Sequence, residues 1–325
     1  MTVNLPSSPF QPEAVRPLSP EKFRDRYRTA DGSPRASVQL TELKTLWFNT
    51  GTLCNITCAT CYIESSPRND ALVYLSAPEV RRYLDEITGL RLSTREIGFT
   101  GGEPFMNREI VPMLEAALHR GFQVLVLTNA MRPMRRWERP LLDLQRRYGD
   151  HLTLRVSLDH YSAAMHEAER GPKTWAPALD GLGWLARNGF AIAVAGRLLP
   201  GETEYQARAG YRRLFGDHDL PLNAEDPAQL SLFPEMDASA DVPEITEACW
   251  EVLRKSPDAM MCASSRMVVK RKGHVRPQVV ACTLTPYDPQ FELGGSIADA
   301  LGSVHLNHPH CASFCVLGGA SCSVS

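Results

Sequence analysis

The sequence predicts an α/β protein in which a partial (β/α)6 barrel precedes a small cysteine-rich extension. Three observations support this class: short apolar runs alternate with helix-period stretches from about residue 45, glycines follow several of the predicted helices, and six of the nine cysteines lie in the last quarter of the chain. Parallel sheets bind ligands at the carboxyl ends of their strands, so residues that directly follow a strand are the first candidates for a functional site.

The first five βα units are well marked. Apolar runs predict strands at residues 46–49, 96–100, 123–127, 152–157 and 191–197, and a sixth, weakly marked unit lies within residues 204–232. Amphipathic periodicity predicts helices at residues 77–90, 110–120, 136–148 and 175–188. Ser76 is a suitable N-cap for the first helix, while Gly121 and Gly189 are suitable C-caps for the second and fourth.

Changes in composition divide the chain into three parts. Residues 1–43 form an irregular proline-rich arm, residues 44–240 the partial barrel, and residues 241–325 the cysteine-rich domain. Within the last part we predict a helix at residues 244–254 and a β-hairpin around Gly273.

Composition excludes several classes of protein. The chain has 325 residues, is 43% hydrophobic and carries 35 basic against 37 acidic residues, for a net charge of −2. We therefore expect a globular core and neither a nucleic-acid surface nor a membrane surface. With no recognisable signal peptide or transmembrane run, we expect a cytoplasmic location, where clustered cysteines bind metals more often than they form disulfides.

The most informative motif is the cysteine loop after the first strand. Cys54, Cys58 and Cys61 offer three thiolates with spacings CxxxCxxC. A [4Fe–4S] cubane has four iron corners, so three thiolates leave one iron open for another ligand. A structural zinc loop is the alternative, although zinc sites usually combine two distant pairs of cysteines.

With the segment from Glu96 to Pro104, which contains Gly101-Gly102-Glu103-Pro104, this loop resembles the radical S-adenosylmethionine (radical SAM) superfamily. The resemblance implies that SAM binds the open iron and is reductively cleaved to a 5′-deoxyadenosyl radical. It also implies an electron donor such as flavodoxin or ferredoxin.

The same resemblance implies a set of SAM-binding residues. Thr128-Asn-Ala resembles the family's "TNG" turn with alanine in place of glycine, and the segments around Ser157 and Arg170 resemble its "SLDG" and "HDxxRG" elements. Thr60 stands where many members have an aromatic residue. An arginine fork suits the SAM carboxylate. The predicted SAM-binding residues are Gly101, Gly102, Glu103, Asn129, Ser157, Asp159, Arg170, Arg197 and Tyr62.

The order of cysteines and glycines near the C-terminus resembles the SPASM or twitch extensions of radical SAM enzymes, which hold auxiliary [4Fe–4S] clusters. Cys282, Cys311, Cys315 and Cys322 are the simplest ligand set, and Cys262 could replace one of them. A zinc ribbon built from the same four residues is the alternative.

The reaction is less constrained than the cofactors. Cys249 is either a buried hydrophobe or a hydrogen-atom donor to a substrate radical. Too few residues precede the first strand for a separate peptide-recognition domain, so we expect a small metabolite, a natural-product intermediate or a short peptide as substrate. A maturase of a ribosomally made peptide is the second hypothesis, and a non-catalytic iron–sulfur or zinc protein the third.

Overall fold

The computed structural model of the protein describes residues 17–237 and 239–321. Its strands are β1 Ser37–Val38, β2 Thr45–Asn49, β3 Glu96–Thr100, β4 Gln123–Thr128, β5 Leu152–Ser157, β6 Ala191–Leu198, β7 Leu230–Pro234, β8 Ser265–Val269, β9 Gln278–Val280, β10 Glu292–Gly294 and β11 Val304–His305. Its α-helices are α1 Ala77–Gly89, α2 Ile110–Leu118, α3 Arg132–Arg135, α4 Glu138–Tyr148, α5 Ala163–Arg170, α6 Trp175–Arg187, α7 Glu204–Asp217 and α8 Cys249–Leu253, and a π-helix spans Cys311–Leu317. Within these ranges, no helix has both the length and the apolar character needed to cross a bilayer.

One sheet organises the molecule. It has nine strands in the order β10-β9-β8-β2-β3-β4-β5-β6-β7, and strands β2 to β8 are mutually parallel. All five residues of β2 are buried, as expected for a parallel strand covered on both faces. The sheet has β10 and β7 as its two edges and does not close, and the predicted α/β fold with a mainly parallel sheet is confirmed.

The predicted hairpin around Gly273 joins β8 to β9. The two strands pair antiparallel, with Met267 opposite Val280, and Gly273 has a φ of +85°, a conformation that favours glycine. Strand β8 also pairs in parallel with β2, so the hairpin extends the barrel sheet. The division between residues 44–240 and 241–325 stays a prediction, and one sheet runs across it.

The described part of the N-terminal arm, residues 17–43, packs on the cysteine-rich end of the chain. Strand β1 pairs antiparallel with β11, and the guanidinium of Arg35 forms a buried ion pair with Glu244. Residues 17–43 therefore contact the cysteine-rich part of the chain through both backbone pairing and an ion pair.

This contact explains why the helix predicted at residues 244–254 is wrong. The structure has only the short helix α8, which begins at Cys249. The carbonyl of Ile245 accepts a hydrogen bond from the Ala36 amide at 2.8 Å, and Thr246 forms a β-bridge with Arg35. Backbone pairing with the arm thus replaces the first turns of the predicted helix.

Candidate functional site

A cavity of about 190 Å³ opens at the carboxyl ends of the parallel strands. Two tail residues, Thr283 and Leu284, form part of its wall. The sequence-predicted residues that line it are Cys54, Cys58, Cys61, Tyr62, Gly101, Gly102, Asn129, Ser157, Asp159, Arg170 and Arg197. The structure thus brings the three cysteines together with every predicted SAM-binding residue except Glu103.

The three cysteine thiols form a donor set that suits an iron–sulfur cluster. The Ser65 amide donates a hydrogen bond to the Cys61 sulfur at 3.3 Å, and Asn129 Nδ2 lies 3.9 Å from the Cys54 sulfur. Such N–H···S contacts tune clusters in proteins. Burial raises the pKa of the Cys54 thiol to about 12 and also raises the pKa of Cys58, so both thiols keep their protons at neutral pH until a metal displaces them.

Thr60, the departure from the family pattern, anchors the second half of the cysteine loop. Its hydroxyl donates to Glu169 Oε2 at 2.6 Å, and the Ala59 amide donates to the Glu169 carbonyl at 2.7 Å. Arg197 Nη2 donates to the Thr60 carbonyl at 2.7 Å. The loop is therefore tied to α5 and β6. Glu169 was not predicted, and its only sequence signal is its position beside Arg170.

Gly101 and Gly102 let the loop after β3 lie directly on the loop after β2. Gly101 has a φ of +144°, and an added Cβ would lie 2.5 Å from the Gly51 carbonyl oxygen. A Cβ on Gly102 would lie 2.2 Å from the Leu53 carbonyl oxygen. These glycines are thus required by backbone packing beneath the cavity that they line.

Glu103 lies behind this loop and does not line the cavity. Its buried carboxylate accepts hydrogen bonds from the Thr128 hydroxyl at 2.9 Å, the Asn129 amide at 2.8 Å and the Phe105 amide at 3.1 Å. Burial raises the pKa of Glu103 to about 7, although these hydrogen bonds act to lower it. The geometry gives Glu103 a positioning role, holding the end of β3 against the turn that presents Asn129.

The turn after β4 has the shape expected of a glycine turn, even though alanine occupies it. Ala130 has a φ of +58°, in the left-handed region. Asn129 Nδ2 donates to Asn55 Oδ1 at 2.9 Å, which connects this turn to the cysteine loop.

Arg170 and Arg197, the two arginines predicted to bind the SAM carboxylate, contact carboxylates of the protein itself. Arg170 grips Asp159 through Nε–Oδ2 at 2.8 Å and Nη2–Oδ1 at 3.1 Å. Arg197 Nη1 lies 3.1 Å from Glu235 Oε1, and its guanidinium stands 5.0 Å from the Tyr62 ring centroid. Burial acts to raise the pKa of Asp159, but the two guanidinium groups outweigh it and the pKa is lowered. Asp159 is therefore ionised at neutral pH and orients both arginines.

Asn49, which was not predicted, faces the same cavity. Its Oδ1 accepts a hydrogen bond from the Gly51 amide at 3.0 Å, while its buried Nδ2 has no partner within the described part of the chain. An unsatisfied buried donor is costly unless a ligand accepts its hydrogen bond. The only sequence signal was a polar residue ending an otherwise apolar strand.

A second, smaller cavity lies in the tail. It is lined by His310 and by four cysteines, Cys262, Cys282, Cys311 and Cys315. Cys322, the remaining predicted ligand, lies outside the described residues. Across ranges 17–237 and 239–321, no three His, Cys, Asp or Glu side chains converge on the position of a single ion; each cysteine set borders a cavity instead.

Tyr62 and Leu284 stand between the two cavities. Leu284 lines both of them, and the Tyr62 ring lies 6.5 Å from the His310 ring, centroid to centroid. Cys249 lies elsewhere: its sulfur is 3.4 Å from the Thr246 amide, it packs on the tail core, and it does not line the main cavity.

A parallel α/β sheet with three thiols, a glycine loop and paired arginines at its strand ends defines a cofactor-dependent enzyme of the partial-barrel type. The family model described as the radical SAM superfamily matches residues 48–209. The chain belongs to the radical SAM superfamily, and it is an enzyme.

Two curated proteins are similar to this chain in sequence, and one solved structure is similar to it in fold. The antilisterial bacteriocin subtilosin biosynthesis protein AlbA of Bacillus subtilis (strain 168) is 32% identical over 143 residues, covering 44% of this chain and 30% of AlbA. Mycofactocin maturase MftC of Mycobacterium ulcerans (strain Agy99) is 28% identical over 140 residues, covering 43% of this chain and 36% of MftC. The chain thus spans about a third of the length of these relatives. Streptococcus suis SuiB bound to S-adenosylmethionine shares the fold, with a TM-score of 0.56, 11% identity, and coverage of 78% of this chain and 63% of SuiB.

Proposed function

We propose that Cys54, Cys58 and Cys61 hold a [4Fe–4S] cluster whose open iron binds SAM, and that the enzyme abstracts a hydrogen atom from a peptide substrate. The observation that carries this proposal is the single cavity that brings the three thiols together with the glycine loop and the paired arginines. When bound, the reduced cluster and SAM supply the 5′-deoxyadenosyl radical, with the electron coming from a donor such as flavodoxin or ferredoxin.

The chain's own residues bind and orient the cofactor. Asn49 offers an unused amide N–H to an acceptor on the ligand. Asn129 connects the turn after β4 to the cysteine loop through its hydrogen bond to Asn55. Arg170 uses Nε and Nη2 on Asp159, so its Nη1 is the group available to a SAM carboxylate. Thr283 and Leu284 restrict the cavity from the tail side, which limits the access of water to the reacting atoms.

The relatives favour a peptide over the small metabolite expected from the sequence. AlbA is named for bacteriocin biosynthesis and MftC as a maturase, and SuiB has been solved bound to its precursor peptide SuiA. A maturase of a ribosomally made peptide is therefore our first hypothesis, and a natural-product intermediate of low molecular weight is the second.

We further propose an auxiliary metal–thiolate centre of the SPASM or twitch kind in the tail, held by Cys262, Cys282, Cys311 and Cys315. These four thiols border one cavity, and the number suits a complete cubane. Their mutual proximity is the support for replacing Cys322 with Cys262 in the ligand set. We also propose a cytoplasmic location, where clustered cysteines bind metals more often than they form disulfides.

Metal analysis of single variants tests this ligand set. Cys262→Ser is expected to remove the tail metal, whereas Cys322→Ser retains it. The opposite result assigns the fourth ligand to Cys322. Incubation of the loaded enzyme with SAM, a reductant and candidate precursor peptides, followed by mass spectrometry, tests the substrate class; modification of a small metabolite and of no peptide would favour the second hypothesis.

A further inference from the structure

Arg266 is a buried cation that hydrogen-bonds the backbone of Cys262, a residue that lines the tail cavity. It lies in β8 and its side chain is among the largest fully buried ones, with 1% of the residue exposed. Its guanidinium donates to four backbone carbonyls: Nε to Ala300 at 2.8 Å, Nη1 to Cys262 at 2.6 Å and to Ser265 at 2.8 Å, and Nη2 to Gly302 at 2.8 Å. These bonds use four of its five N–H donors and do not neutralise its charge.

Two other arginines with little exposed side chain have a carboxylate partner. Arg35 pairs with Glu244, and Arg170 pairs with Asp159. Arg266, by contrast, has no carboxylate partner among the described residues, and its Nη1 donates to the backbone carbonyl of Cys262, one of the four cysteines that line the tail cavity. Leaving a charge buried without a counter-charge is costly in a folded protein.

A metal bound to the tail cysteines would supply the missing negative charge. Four thiolates around a doubly charged metal core, whether an oxidised cubane or a zinc ion, leave a net negative charge on the centre. We propose that Arg266 is the counter-charge of an anionic metal–thiolate centre in the tail. This inference rests on the tail site of the proposed function and names the residue that stabilises its charge.

The inference predicts a specific electrochemical effect. A fixed positive charge favours the more negative, reduced state of a cluster, so Arg266 raises its reduction potential. The experiment uses the full chain with Cys54, Cys58 and Cys61 replaced by alanine, so that only the tail cluster is titrated. In that background, Arg266→Met is expected to lower the ratio of reduced to oxidised cluster at least tenfold at a fixed potential, a shift of about 59 mV for a one-electron couple.

Arg266→Lys separates charge from hydrogen bonding. Lysine keeps the positive charge but cannot contact all four carbonyls. We therefore expect a ratio of reduced to oxidised cluster within threefold of that of the parent protein. Arg120→Met is the matched control: it removes one positive charge from a surface pair with Asp85 and leaves the ratio unchanged. Equal ratios for Arg266→Met and the parent, with the cluster intact, would overturn the inference. So would equal shifts for Met and Lys, because they would give Arg266 a purely structural role.

Two further experiments apply if Arg266→Met does not fold or if the tail holds zinc instead of a cluster. If Arg266→Met does not fold, Arg266→Gln takes its place, with the same expected shift. If the wild-type tail holds zinc, transfer of zinc to a chelator is expected to be at least tenfold faster in the neutral variant than in Arg266→Lys; equal rates overturn the inference. A wild-type tail that binds no metal overturns this inference and the proposed tail site together, whereas an intact metal centre insensitive to Arg266 overturns this inference alone.

Discussion

Arg170 and Asp159 form a buried two-point ion pair in the wall of the main cavity, with Nε–Oδ2 and Nη2–Oδ1 distances of 2.8 and 3.1 Å. The pair lies close enough to the cysteine loop for the Arg170 charge to act on the Cys58 thiol. A fork fixed in this way is held in place before any ligand arrives, which reduces the entropy lost on binding.

Replacing Asp159 by asparagine should therefore destabilise the fold. The variant leaves Arg170 buried without a carboxylate, and breaking a buried pair from one side costs about 3–5 kcal/mol. Chemical denaturation measures the loss. Asp85→Asn, which breaks the exposed pair with Arg120, is the control and should cost less than about 1 kcal/mol. Equal losses in the two variants would show that the Arg170 charge is compensated by other means.

Asn49→Asp should weaken SAM binding by about tenfold, which corresponds to the loss of roughly 1.4 kcal/mol. Aspartate keeps the oxygen that accepts from the Gly51 amide but lacks the unpartnered Nδ2 donor. Calorimetric titration of the reconstituted enzyme with SAM gives the dissociation constant. Asn188→Asp, outside the cavity at the end of α6, should leave it unchanged; wild-type affinity in Asn49→Asp would mean that Asn49 makes no contact with SAM.

Gly102→Ala should reduce both stability and iron loading. The added Cβ would lie 2.2 Å from the Leu53 carbonyl oxygen, so the two loops must separate, at a cost of about 1–3 kcal/mol. Gly216→Ala is the matched control, because its Cβ meets nothing within 4 Å and it lies in α7, where alanine should gain about 0.5–1 kcal/mol. Thermal denaturation and iron counting compare the two; a Gly102→Ala protein that behaves like the control contradicts the packing argument.

Glu103 should make stability depend on pH near neutrality. Its pKa is about 7 in the fold against 4.5 for an ordinary glutamate, so the folded state holds the proton more tightly. The resulting stabilisation is complete below pH 4.5 and is lost as the pH rises through 7, amounting to about 3 kcal/mol. Unfolding of metal-free protein across this range should show the loss in wild type and not in Glu103→Gln. Parallel pH profiles for the two proteins would mean that Glu103 has an ordinary pKa.

Much of the barrel could be predicted because its strands are locally encoded. Strands β3 and β5 have the predicted limits, since buried parallel strands leave apolar runs bounded by polar residues and turns. What depends on distant pairing could not be predicted. The place of β8 beside β2 and the loss of the first turns of the helix expected at residues 244–254 both follow from contacts between segments far apart in sequence.

The residues of the candidate site likewise divide into those marked by a local motif and those that depend on contacts between distant segments. Cys54, Cys58 and Cys61 were identifiable because their spacing carries the chemistry. Asn49 and Glu169 act through contacts made only in the fold, the first as an unpartnered donor and the second as the partner of Thr60, so no motif marks them.

The most direct test of the central claim is anaerobic reconstitution with iron and sulfide, followed by iron counting and an assay for 5′-deoxyadenosine in the presence of SAM and a reductant. Wild type is compared with a variant in which Cys54, Cys58 and Cys61 are alanine. Two cubanes predict about eight irons per chain in wild type and about four in the variant, with 5′-deoxyadenosine formed by wild type alone. A fully loaded wild-type protein that forms no 5′-deoxyadenosine would contradict the proposed SAM chemistry.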